Sequence, residues 1–206
     1  MSANSVRFDQ ETIDYYEEAA PRYTISTALD RHRDLDPFLD RLPDGAYVLE
    51  VGCGNGRDAS HMLERGFRVD ATDGTAAMVR KANQAFGVNA RQMRFDQLEA
   101  EAEYDAVWAH ACLLHLPRSG LPDALFRIHR ALKSGGLHFA NFKLRDEAHP
   151  EEGRDPLGRW TNLPGPDLLH SLYTDANFTL LDTQHYPGNG SDGVVRNWLA
   201  LTVRKP

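Results

Sequence analysis

The stretch YVLEVGCGNGRD, Tyr47–Asp58, packs Gly52, Gly54 and Gly56 into five positions directly behind an apolar run. The run reads as a buried strand, and so much backbone freedom at its end must serve a close approach. Glycine adopts positive φ without a side-chain penalty and lets another group lie against bare backbone. The helix expected to start near Asn55 adds free N–H groups aimed at the same place. A dinucleotide fingerprint, G-x-G-x-x-G, needs its third glycine at position 57 for pyrophosphate contact and close helix packing. That position is Arg57, which speaks against a nicotinamide-dependent dehydrogenase.

Outward from this turn, short apolar runs alternate with helical patterns. RDASHMLERG reads as a helix closed by Gly66, FRVDATD as the next strand and TAAMVRKANQAFG as the next helix. A weak strand, VNARQMRF, precedes the clearer YDAVWAHA. GLPDALFRIHRALKSGG sets Leu121, Leu125, Ile128 and Leu132 on one helical face, with Pro122 in the opening turn. LHFANFK is a strand and PDLLHSLYTDAN a helix with Asn177 at its cap; FTLLDTQHY and RNWLALTVRK are strands close enough to pair antiparallel. Residues 9–42 carry aromatic and apolar residues at helical spacing and read as one or two amphipathic helices broken near Pro21. Strands alternating with helices imply an α/β domain with a mostly parallel sheet covered on both faces. Ligands of such sheets lie beyond the carboxyl ends of the strands.

A chain of 206 residues fits a single domain, with 1–42 as a helical lid or cap and 46–206 as the core. Hydrophobic residues at 41% and charged residues at 26% are ordinary globular values. The net charge of −7 argues against nucleic acid, whose phosphates are met by clustered cations. Two cysteines, Cys53 and Cys112, suggest a reducing compartment and no disulfide framework. MSANSVRFDQET has no apolar signal core, and no apolar run approaches membrane-spanning length. The expectation is a cytoplasmic protein, monomer or homodimer.

Asp73 ends the second strand, 21 positions after Gly52. A carboxylate there can accept from both hydroxyls of a ribose. RFDQL brings Asp96 to the matching edge, where it could accept from an adenine amino group, and Met78 could wall the base.

In order and spacing, VLEVGCGNGRDA, VDATDGTAAMV, RFDQL, YDAVWAHACLLHLP and ALKSGGLHFANFK resemble the class I S-adenosylmethionine-dependent methyltransferases, from about Tyr47 to Lys143 with a compatible tail. GNGRDA with HLPRSGLPDALFRIHRALKSGGLHFANFK is most similar to the small single-domain members, including the tellurite-resistance-type methyltransferases. Ser134 departs from the proline usual in those relatives. The resemblance implies a Rossmann-like three-layer sandwich whose seven-stranded sheet runs 3-2-1-4-5-7-6 with the last strand antiparallel. It implies S-adenosyl-L-methionine as cofactor and S-adenosyl-L-homocysteine as product. By position, Gly52 and Gly54 would approach the methionyl part, Asp73 the ribose and Asp96 the adenine. Glu50, Cys53, Asn55, Gly56, Arg57, Gly74, Met78, Gln97 and His110 would complete the contacts. YYEEAAPRY resembles the Y-x-x-x-A-x-x-Y segment before the core of many small-molecule members. Tyr15 and Tyr23 would there form a lid, and Arg22 would meet the methionyl carboxylate.

Methyl transfer from a sulfonium is an in-line displacement whose leaving group the cofactor already carries, so the protein mainly aligns the nucleophile and excludes water. A base is needed only for an acceptor that arrives protonated with a high pKa. His110, Cys112 and His115 follow the fourth strand. Their H-x-C-x-x-H spacing leaves a strand end and enters a turn, which fits a lining role better than a metal. His110 is the candidate base or substrate hydrogen bond, and equally a residue that lines the cofactor pocket. The 144–163 segment reads as a long polar loop. Lys143 and Arg159 are expected to hold an anionic or strongly polar acceptor over the methyl group, with Tyr23 beside them. Asp146, Glu147, Glu151, Glu152 and Asp155 equally fit a solvated mixed-charge loop. The expected function is methyl transfer to a small molecule at oxygen, nitrogen, sulfur or a metalloid oxyanion. The alternatives are a cofactor-binding sensor or subunit without catalysis, and an RNA methyltransferase. HACLLHLP lacks the N/D-P-P-aromatic motif of amino-base methyltransferases.

Overall fold

Val48 and Leu49 have no exposed surface and Val51 almost none, as a strand covered on both faces requires. In the computed structural model, which describes residues 8–23, 33–145, 150–190 and 194–206, these residues form β1 (Tyr47–Val51). The other strands are β2 (Arg68–Asp73), β3 (Arg91–Gln92), β4 (Tyr104–Ala109), β5 (Leu132–Lys143), β6 (Glu152–Arg154), β7 (Trp160–Asn162), β8 (Thr179–Asn189) and β9 (Val195–Arg204). Seven of them make one sheet in the order β3-β2-β1-β4-β5-β9-β8. The pairs from β3 through β5 are parallel, and β9 runs antiparallel to both β5 and β8. The sheet is the Rossmann-like arrangement expected, with the last strand reversed.

The helices are α1 (Gln10–Ala19), α2 (Leu35–Leu39), α3 (Arg57–Glu64), α4 (Ala76–Phe86), α5 (Leu121–Ala131) and α6 (Pro166–Asp175). Leu121, Leu125 and Ile128 of α5 pack with Leu169 and Tyr173 of α6 against one face of the sheet. Phe38 and Leu39 of α2 and Met62 of α3 cover the other face around Trp108 and Phe139. Such burial contributes about 1.5–3 kcal/mol for each large side chain. Residues 24–32, within the helical 9–42 reading, lie outside the described residues, as do 146–149 with Asp146 and Glu147.

Three expectations change. VNARQMRF contributes only Arg91 and Gln92 to the sheet, because both backbone polar groups of Ala90 are taken by the Asn83 side chain of α4. The 144–163 segment is not all loop: β6 and β7 form a separate hairpin in it. Leu132, expected on the apolar face of α5, opens β5 instead, whereas α3 starts at Arg57 as RDASHMLERG reads, with Gly56 as its cap. Among the described residues no helix is long and apolar enough to cross a membrane.

Candidate functional site

The carboxyl ends of β1, β2, β4 and β5 open onto a cleft of about 1120 Å³, roofed by α1 and flanked by the β8–β9 hairpin. Sites for one small ligand run to roughly 300–1,000 Å³, so this cleft lies just above that range.

The three glycines do different things. A Cβ on Gly52, at φ 72°, would stand 2.5 Å from Cys112 Cβ, so its bareness lets the β1 turn pass the loop after β4. Gly56 lies against Ala82 of α4, where a Cβ would stand at 2.8 Å, and it serves helix packing. Only Gly54, at φ 55°, turns its bare face to the cleft, its nearest neighbour there being the Tyr23 ring at 4.0 Å.

Carboxylates gather at this end. Asp73 Oδ2 accepts from the Gly54 N–H at 3.0 Å, and Oδ1 accepts from Thr75 N at 3.0 Å and Thr75 Oγ1 at 2.9 Å. Asp58 takes the Arg57 Nε–H at 3.1 Å and the Trp108 indole N–H at 3.1 Å. Glu50 is buried at the end of β1, and its Oε2 finds no hydrogen-bond partner among the described residues. Burial, then the charges of Asp58 and Asp73, raise its pKa well above the usual carboxylate range. A bound cation would relieve that cost. The orphaned oxygen, the open Gly54 backbone and the surplus of negative charge fit a nucleoside that carries a sulfonium and an ammonium.

The opposite half is basic. Arg159 is 1% exposed and Lys143 5%. Arg159 donates to Asp155 Oδ2 from Nε at 2.9 Å and from Nη2 at 2.6 Å, and to the Tyr16 hydroxyl from Nη1 at 2.9 Å. His115 Nδ1 lies 2.7 Å from the Trp160 carbonyl, which can only accept, so Nδ1 carries the proton. Nε2 then accepts from the Tyr16 hydroxyl at 2.9 Å. Burial, then the charge of Arg159, push His115 down to about 3. Asn141 accepts from Ala111 N and donates to the Tyr186 hydroxyl at 3.0 Å.

Helix α1 is held over the cleft mostly by polar contacts, since only Thr12 of it is buried. Arg154 pairs with Asp9, Trp160 N donates to Thr12 Oγ1 at 2.7 Å, and on the other side Ala77 N donates to Glu17 at 3.0 Å. The roof thus ties the β6–β7 hairpin to the start of α4.

His115 shares its burial with His138, which donates to the Val107 carbonyl and is pushed down to about 4 by burial. Both folded values lie below the ordinary 6.5, so these rings bind protons more readily unfolded. Their contribution to stability is complete above about pH 6.5 and is lost as pH falls towards 4 and below. The urea midpoint is expected to fall through that window, and less steeply in a His138→Gln variant.

His110, Lys143, Arg159 and Tyr23, the expected catalytic residues, all line the cleft. So do the expected cofactor contacts Tyr15, Arg22, Glu50, Gly52, Cys53, Gly54, Asn55, Arg57, Asp73 and Met78. The lining does not include Gly56, Gly74, Asp96 or Gln97. Arg94 accounts for the last two: its guanidinium holds Asp96 at 3.0 Å, and its N–H donates to Gln97 Oε1. Sequence reasoning did not single out Tyr16, Asp58, Asn141, Tyr186 or Trp198. Asn141 was within reach, since it lies two residues from Lys143 and so on the same face of the strand. Among the described residues no group of three or more His, Cys, Asp or Glu side chains could hold a metal ion.

Residues 48–136 match the family model described as a methyltransferase domain. The chain is 31% identical over 123 residues to the malonyl-[acyl-carrier protein] O-methyltransferase of Enterobacter lignolyticus, covering 58% of this chain and 48% of that one. It is 31% identical over 107 residues to the trans-aconitate 2-methyltransferase of Deinococcus radiodurans, covering 51% and 40%. The chain thus spans about half the length, or less, of these two curated relatives. A similar fold is that of the Burkholderia thailandensis 1,6-didemethyltoxoflavin-N1-methyltransferase with bound 1,6-didemethyltoxoflavin and S-adenosylhomocysteine. The TM-score is 0.66 at 24% identity, over 95% of this chain and 80% of that one.

Proposed function

We propose that the chain, similar over residues 48–136 to a methyltransferase domain, works as a class I S-adenosylmethionine-dependent methyltransferase and moves a methyl group from S-adenosyl-L-methionine to a small anionic acceptor. The observation that carries this is the charge along the cleft: Glu50, Asp58 and Asp73 outnumber their neighbour Arg57 at the ends of β1 and β2, and Lys143 and Arg159 stand at the end of β5 and just before β7. A cationic cofactor and an anionic acceptor are each drawn to the half of opposite sign. Bound S-adenosylmethionine supplies an activated methyl group together with its leaving group.

The protein's part is binding and alignment. Asp73 keeps the Gly54 backbone in place and offers its carboxylate to the ribose; the orphaned oxygen of Glu50 suits the ammonium of the methionyl part. Lys143 and Arg159 orient the acceptor, and the tyrosines of α1 keep water out. His110 is proposed as a hydrogen-bond partner of the acceptor. The malonyl group and trans-aconitate named for the two relatives carry carboxylates, which supports a carboxylate acceptor here. Such a nucleophile is already ionised at neutral pH and needs no base.

Labelled cofactor and a panel of carboxylic acids test the reading, with RNA as a further arm. Turnover on an acid is expected, whereas cofactor binding without turnover on any acceptor favours a sensor. With the acceptor in hand, Lys143→Met and the paired Asp155→Asn/Arg159→Met change are each expected to raise its KM by about tenfold, the loss of one charge-assisted bond. The paired change avoids leaving Asp155 buried without its partner. Unchanged KM in both variants removes the anionic acceptor.

A further inference from the structure

Resting on that reading of an anionic acceptor, we infer that the acceptor is a flat, conjugated anion. The basic half of the cleft is walled by rings as well as by cations. Tyr15 and Tyr16 of α1 meet edge to face with centroids 5.2 Å apart. Tyr186 of β8 and Trp198 of β9 are register partners at the flank, and all four line the cleft. The cations themselves rest on these rings, Arg33 included, its guanidinium carbon 4.5 Å from the centre of Tyr186. Lys143 Nζ lies 5.6 Å from the centre of Trp198, and the guanidinium carbon of Arg159 lies 5.4 Å from the centre of Tyr15 and 5.7 Å from that of Tyr16.

The hydroxyls of Tyr16 and Tyr186 are already engaged within the protein. That of Tyr16 stands between Arg159 and His115, and that of Tyr186 accepts from Asn141. What Tyr16 and Tyr186 have left to offer a ligand is therefore chiefly the ring surface those cations leave uncovered, not a ladder of hydroxyls such as a sugar or polyol would use. Ring surface discriminates by shape: offset and edge-to-face contacts with another π system add to what burial alone gives. In a conjugated carboxylate the charge lies in the plane of the π system, so one orientation satisfies both the cation and the ring. A saturated acid of the same charge meets the cations equally but presents puckered methylene groups to the rings.

The test uses matched pairs of equal charge, trans-aconitate against tricarballylate and benzoate against cyclohexanecarboxylate, titrated calorimetrically into protein first saturated with S-adenosylhomocysteine. The flat member of each pair is expected to bind at least about fivefold more tightly, the range of one or two ring contacts. Tyr186→Phe is expected to keep that ratio and Tyr186→Leu to bring it towards one. Prior saturation with S-adenosylhomocysteine shows separately whether each variant is folded. Equal or tighter binding of the saturated members, or a ratio unmoved in Tyr186→Leu, overturns the conjugated acceptor while leaving the anionic one standing. Cofactor-saturated protein that binds neither member of either pair overturns both.

Discussion

Gly52→Ala is expected to cost the fold about 2–5 kcal/mol. The added methyl would stand 2.5 Å from Cys112 Cβ on a backbone held at φ 72°. Overpacking of that kind costs about 1–3 kcal/mol and a left-handed non-glycine residue about 1–2 more. Together they take a large share of the roughly 5–15 kcal/mol that holds a domain together. Gly54→Ala is the matched control. It meets the same backbone penalty, but its methyl enters open space, so the protein should fold with a loss of about 1–2 kcal/mol. The damage there falls on binding, because the methyl occupies a glycine face turned to the cleft. Urea unfolding of the two variants distinguishes these roles. Equal midpoints would mean that Gly52 is not the packing residue described here.

Asp73→Ala carries the second large effect, on cofactor affinity. The carboxylate accepts three hydrogen bonds from Gly54 and Thr75, and two oxygens offer about four acceptor sites. A ribose hydroxyl can use the fourth, and a second can displace the rotatable Thr75 hydroxyl. Hydrogen bonds to a charged group contribute about 1.5–3 kcal/mol each, so S-adenosylhomocysteine should bind at least about tenfold more weakly. The Gly54 loop also loses its anchor, so stability falls as well. Asp73→Asn keeps an oxygen for that anchor and should lie between the two in affinity. Calorimetric titration reads both variants, and affinity unchanged in Asp73→Ala removes the ribose contact.

The strands were legible because buried parallel strands leave continuous apolar runs, as in YVLEV, while their order in the sheet came only from the family resemblance; the amphipathic helix Leu121–Ala131 was marked by its spacing. The β6–β7 hairpin was not legible: EGR and WTN are three residues each, too short for a period-two pattern. Part of the site was legible for a different reason. Residues that follow strands β1, β2, β4 and β5 must reach the carboxyl edge, and Gly54, Asp73, His110 and Lys143 were found by that rule. Tyr186 and Trp198 reach the same cleft through antiparallel pairing at the far side of the sheet. No local motif marks that. The glycine spacing was read as cofactor room throughout, yet two of the three glycines answer to neighbouring protein atoms. A sequence shows where backbone freedom is needed but not which contact needs it.

The central claim is that the cleft beyond β1, β2 and β4 holds a sulfonium nucleoside with its methyl aimed at the basic half. A crystal structure grown with S-adenosylhomocysteine tests it most directly. The account predicts the ribose at Asp73, the homocysteine chain along Gly52–Gly54 near Glu50, and the sulfur facing Lys143 and Arg159. A nucleoside bound elsewhere, or one whose sulfur points away from those two side chains, contradicts it.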